Sequence, residues 1–208
     1  MSKTTKALAA LGVVAGLGVA ALPLSVGALT KSDTITVRTT IEDTLTLTIV
    51  GDTDTAIDDG DEDHLVLLGA NGKMTNGSAA TAKATVTVAT NNVGGYSVKM
   101  KGENGYLAGQ STSETIPALG SSQATFPATG DTSAFGYQTV KIGEVTTFSV
   151  TNSTWNPVKT TDEEIAKNTA ATKQAGDTFN LNFQAYVNES QAADTYEETV
   201  TITASTGV

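Results

Sequence analysis

Apolar and polar residues alternate along most of this chain. The clearest stretch is residues 82–101, where Ala82, Ala84, Val86 and Val88 take every second place and Lys83, Thr85 and Thr87 lie between them. A period of two sends successive side chains to opposite faces of a strand, so one face is apolar. Thr90-Asn91-Asn92-Val93-Gly94-Gly95 breaks the pattern. Asn and Gly accept positive φ, so this run predicts a hairpin connection. Tyr96, Val98 and Met100 then resume the alternation.

Other stretches repeat the pattern. Over residues 34–50 the apolar residues Ile35, Val37, Ile41, Leu45, Leu47 and Ile49 all take odd positions. A helix would scatter them around its axis, so one long strand, or two meeting near Glu42-Asp43, is predicted. Phe179, Leu181, Phe183, Ala185 and Val187, then Val200, Ile202 and Ala204, predict a second hairpin with its loop at 188–194. Shorter strands are predicted at 64–68, 113–116, 135–142 and 144–151. Thr161 followed by Glu164 fits a helix-capping box, which predicts one short helix over residues 162–169. The fold class is therefore all-β, an antiparallel β-sandwich of two sheets with at most that one helix. The irregular stretch 102–132, rich in Gly and Pro, reads as loops and is the expected recognition surface.

Residues 1–28 carry Lys3 and Lys6, an apolar run, and the small-residue exit Val26-Gly27-Ala28. This is the pattern of a secretory signal peptide cleaved after Ala28. Residues 29–208 are then read as a single domain, and about 180 residues suffice for one core. No later apolar stretch is long enough to span a bilayer, so no stable membrane anchor is expected after cleavage. The expected location is extracellular, associated with the cell surface. Aromatics are 5%, which predicts a mainly aliphatic core.

Charge and cysteine content narrow the chemistry. The formal net charge is −10, and loss of Lys3 and Lys6 makes it two units more negative. Such a surface repels nucleic acid and anionic lipid. With no cysteine, disulfides, a thiol nucleophile and a thiolate metal site are all excluded. The run 51–63 holds Asp52, Asp54, Asp58, Asp59, Asp61 and Asp63. Clustered carboxylates suit calcium, and these six are the candidate metal ligands. An EF-hand starting at Asp52 would put Ala56 at the fifth place and Ile57 at the sixth, so a solvated acidic loop is the favoured reading and no cofactor is expected. His64, the only histidine, closes this run and has no Cys or second His to join it. Trp155, the only tryptophan, is the candidate ligand contact as a sugar-stacking platform; its commoner use is as a lid on the core. No Gly-x-Ser-x-Gly elbow occurs, and one histidine beside acids makes a poor triad, so no catalytic residue is assigned. Asn76, Asn152 and Asn188 each open an Asn-x-Ser/Thr triplet.

The phrases VTVATNNVGGYSVKMKG, FGYQTV and FQAYVNESQAADTYEETVTITA, in order over residues 81–204, resemble small secreted β proteins of candidate-phylum, reduced-genome bacteria. The resemblance implies a secreted surface β-sandwich and little chemistry. A weaker similarity runs to WxL-type cell-wall domains and pilin-like sandwiches, although Trp155 is followed by Asn156-Pro157 rather than x-Leu. The expected function is a non-catalytic structural subunit of a surface layer or filament, with self-association as the partner. The alternative is a monomeric adhesin or cell-wall/glycan-binding module.

Overall fold

A computed structural model describes residues 38–51, 66–127, 130–143, 146–172 and 174–207. The leader, Asp52, Asp54, Asp58, Asp59, Asp61, Asp63 and His64 lie outside the described residues. Of the segment up to Thr40, the described residues Arg38, Thr39 and Thr40 are exposed and outside regular structure. The compact unit from Ile41 onward is an all-β antiparallel sandwich, with no helix among the described residues. One sheet has the order β1 (Leu45–Gly51), β2 (Ser78–Thr90), β9 (Asp177–Val187), β6 (Ala134–Ile142). The facing sheet has the order β11 (Val200–Thr206), β3 (Tyr96–Gly102), β8 (Glu163–Asn168), β7 (Phe148–Val150). The sequence predicts two sheets; a third, small one is added by β10 (Tyr196–Glu197), β4 (Leu107–Gly109) and β5 (Thr115–Ile116).

The alternating apolar positions of both large sheets meet in one core. Val86, Val88, Phe179 and Leu181 from the first sheet join Tyr96, Val98, Met100 and Ile165 from the second. Burying each such side chain stabilises by about 1.5–3 kcal/mol. Phe148 lies 6.5 Å from the Tyr96 ring and 6.0 Å from Phe179, so aromatics span the gap between sheets. Thr139, at an inward position of β6, is fully buried and its hydroxyl has no hydrogen-bond partner. An unsatisfied buried hydroxyl costs about 1–3 kcal/mol, so Thr139→Val should raise the unfolding free energy by about 1 kcal/mol in a denaturant melt.

Both predicted hairpins are corrected. The strand pattern at 82–101 is right, but β2 pairs with β1 and β9, whereas β3 pairs with β11 and β8. The chain at 91–95 is an arch from one sheet to the other. It lets Val86 and Val88 meet Val98 and Met100 across the core, which a flat hairpin cannot do. The polar side chains of the arch bind elsewhere. Thr90 Oγ1 donates to Thr44 O (2.6 Å), Asn91 Nδ2 to Glu42 O (2.8 Å) and Asn92 Nδ2 to Asp43 Oδ2 (2.9 Å). Thr90-Asn91-Asn92 thus clamps the segment that enters β1. β9 and β11 are likewise in opposite sheets, joined through β10.

The predicted helix at 162–169 is also corrected: it is strand β8. β3 and β8 shift register after Val98, which pairs with Ala166, while Lys99 pairs with Glu164. Ile165 is the extra residue of this bulge, and Ile165 and Ala166 are both buried. A bulge breaks the period of two, so Glu163-Glu164-Ile165-Ala166 carries no alternation to read. Glu164 meets Lys167 Nζ at 3.0 Å instead of capping a helix. Of the strand predicted at 34–50, the described part starts only at Leu45. Val66, Leu67 and Leu68 form no strand, although Val66 and Leu68 pack on the core. Of the strand predicted at 144–151, the described residues 146–151 contain β7 at Phe148–Val150.

Candidate functional site

Two regions are the candidates: one end of the sandwich, lined by loops, and its two lateral sides, where sheet edges run. The loop-lined end grows out of β6. The even positions of β6 and β9 face away from the main core, and Ala134 pairs with Tyr186 there. Residues 117–127 and 152–156 fold around the β6 edge onto this outer face. Phe135 N–H donates to Pro117 O (2.7 Å), Tyr137 N–H to Asn156 O (2.9 Å) and Thr139 N–H to Asn152 O (2.7 Å). Gly136 is required here, because a Cβ would lie 2.6 Å from Leu119 Cδ1 and 2.7 Å from Asn156 O. Leu119, Phe126, Ala134 and Tyr186 make a second small core, with Trp155 packed against it.

Trp155 is half-buried, and its ring meets the Phe126 ring edge-on at 5.2 Å. Its backbone pairs with Gln123 in both directions. The contacts make it a lid on this small core. Trp155→Ala should destabilise the protein by about 1–3 kcal/mol, read as a lower urea midpoint. Beside it, a cleft of about 510 Å³ runs along Pro117, Leu119, Pro127 and Gly130 to Ala134. It adjoins a more polar cleft of about 600 Å³ that includes Gly77, Asp131, Tyr186, Asn188 and Glu189. Both share Gly130 and Asp131.

Carboxylates hold the nearby loops in place. Asp194 accepts hydrogen bonds from the Thr112 hydroxyl (2.7 Å) and from the amides of Ser111, Thr112 and Thr195. The Thr112 hydroxyl first, then the three amides, lower its carboxyl to about 2. A depressed pKa means the contribution is complete above the ordinary carboxylate range and is lost as pH falls from about 4 through about 2. Amide exchange at Ser111 and Thr112 should therefore accelerate between about pH 4 and about pH 2, relative to the core strands. Glu198 binds Asn104 N–H and Gly105 N–H in the same manner. The triplet asparagines are engaged too: Asn76 Nδ2 donates to Glu189 O and Gln191 O, Asn188 Nδ2 to Asp131 O, and Asn152 Nδ2 to the Tyr137 hydroxyl.

The lateral sides differ. On the β6/β7 side the outer amides of β6 are covered by loops, as above. Lys141 Nζ crosses from β6 to donate to Phe148 O at 2.8 Å and sits over the Phe148 ring. The Tyr137 hydroxyl donates to Glu163 Oε2 at 2.8 Å, tying β6 to β8. Burial, then the Glu163 carboxylate, push that hydroxyl far above its usual pKa. On the opposite side, β1 and β11 are the outermost strands among the described residues. Neither contains a charge or a proline, and Leu47, Ile49, Val200, Ile202 and Ala204 are only half-buried. Natural sheet edges are ordinarily protected by charge, proline, bulges or cover.

Among the described residues no group of three or more His, Asp or Glu is placed to hold a metal ion. No described helix is long and apolar enough to cross a membrane. The edge role of β11 does not emerge from reading the sequence alone. The signal that points to it is the run Val200-Thr201-Ile202-Thr203-Ala204-Ser205-Thr206, uncharged in an acidic chain. No protein-family model and no curated protein matches the chain.

Proposed function

We propose that this protein is a non-catalytic structural subunit of an extracellular surface assembly, a layer or filament, joined by addition of a strand to an open sheet edge. The supporting observation is the asymmetry of the lateral sides. One is closed by loops, Lys141 and the Tyr137–Glu163 bond, and the other presents β1 and β11 without protective charge. Edge addition uses backbone hydrogen bonds for affinity and alternate side chains for specificity. A strand passed in one direction from copy to copy is a head-to-tail contact, which propagates into a filament unless its rotation closes a ring. The segment before β1 suits this use. Residues 38–44 lie outside any strand and are exposed, with Ile41 81% accessible.

The leader pattern of residues 1–28 supports secretion, and the resemblance to secreted surface proteins supports a cell-surface location. The absence of cysteine and the single histidine support a role without catalysis. Deleting residues 29–40 should abolish assembly and leave the sandwich folded; unchanged polymers would refute donation by this segment. A second reading, an adhesive module, is favoured by the paired clefts at Gly130 and Asp131. Saturable binding to a glycan or cell-wall array by a monomer, lost on Asp131→Ala, would select it.

A further inference from the structure

We infer that β11 is the accepting edge and that residues 34–40 of a second copy are the strand it takes. This rests on the assembly reading above and adds the two partners of the joint. The edges of the β6/β7 side are unsuited. The outer amides of β6 already donate to Pro117, Asn156 and Asn152. β7 has three residues, too few for a stable ladder, and Lys141 reaches across it. β1 is the other uncovered edge, and the cross-link with Thr48→Cys below separates it from β11.

β11 has what an acceptor needs. It is seven residues long and pairs with β3 in unbroken register from Val200↔Gly102 to Thr206↔Tyr96. Its inward residues Val200, Ile202 and Ala204 are half-buried, and Thr201 and Thr203 are exposed on the other face. A strand laid beside it would complete the burial of Val200 and Ile202. Residues 34–40 read Thr-Ile-Thr-Val-Arg-Thr-Thr, with Ile35 and Val37 in alternation with threonines. An antiparallel alignment with Ile35 beside Ile202 and Val37 beside Val200 pairs apolar with apolar and Thr36 with Thr201. Such cross-strand pairs are the unit of sheet stabilisation. The same alignment carries Arg38, the chain's one arginine, to the Glu197–Glu198 end of β11. Charge complementarity therefore favours this register.

The absence of native cysteine makes the test clean. Full chains expressed from their own leader would carry either Thr36→Cys or Thr201→Cys. Directly opposed strand residues have Cα atoms about 4.5–5.5 Å apart, within the span of a disulfide. Mixed and oxidised, the two variants should give a disulfide-linked pair as the main product. Thr36→Cys mixed with Thr48→Cys, on β1, should not. Cross-linking to Thr48→Cys instead, or only within one chain carrying both Thr36→Cys and Thr201→Cys, overturns the choice of β11 in a second copy and leaves assembly standing. A native chain that neither assembles nor cross-links overturns the assembly reading itself.

Discussion

Gly95→Ala is expected to be among the most damaging single substitutions in the molecule, lowering the melting temperature by roughly 6–12 °C. Gly95 has φ +76° at the end of the arch between β2 and β3. A side chain there meets two penalties. The left-handed conformation costs a non-glycine residue about 1–2 kcal/mol. The added Cβ would also lie 1.9 Å from the carbonyl oxygen of Asn168 and 2.6 Å from its carbon. Those are backbone atoms of β8, so relief requires a strand to move. Together the penalties reach about 3 kcal/mol or more. Gly94→Ala is the control, because its Cβ would meet only the Asn92 side chain at 3.1 Å and Gly207 Cα at 3.9 Å. A small loss at Gly94 and a large one at Gly95 in thermal melts would locate the cost in this close approach.

Asp177→Ala should cost about 2–4 kcal/mol, because it leaves buried donors without an acceptor. Asp177 is 4% exposed at the start of β9. Its Oδ2 accepts from the Tyr96 hydroxyl (3.0 Å) and from Asn168 Nδ2 (2.5 Å). β3, β8 and β9 are thereby joined at one point between the two sheets. Burial first, then Asp177, push the Tyr96 hydroxyl far above its usual pKa. That raised value means this contribution holds below about pH 10 and declines as pH rises past it. Urea melts of Asp177→Ala, Tyr96→Phe and the double variant form a test. The double variant should be less damaged than the sum of the singles, since both break one network. Full additivity would mean the bond contributes little.

Alternation marks most strands before any coordinates are needed. β2, β3, β9 and β11 all fall where every second residue is apolar, and β2, β3 and β9 supply much of the core. Which strands pair is not legible. A period of two marks a buried face but not the sheet that owns it, so Asn91-Asn92-Val93-Gly94-Gly95 reads as a hairpin although it is an arch. β8 is hidden for a local reason. Ile165 occupies a bulge, and the capping pattern at Thr161 and Glu164 outweighs a broken alternation. The edges are equally invisible, since exposure of β1 and β11 depends on pairings made far along the chain. Trp155 is legible as an aromatic between turns, and Phe126 as its partner is not. The acidic run 51–63, apart from Gly51, lies outside the described residues.

Sedimentation velocity of purified Leu29–Val208, with negative-stain images of the same sample, tests the central claim most directly. Assembly through an open edge predicts polymers whose mean size rises with protein concentration and falls to the monomer when residues 29–40 are removed. A single monomeric boundary at every concentration, with no ordered particles in the images, would contradict it.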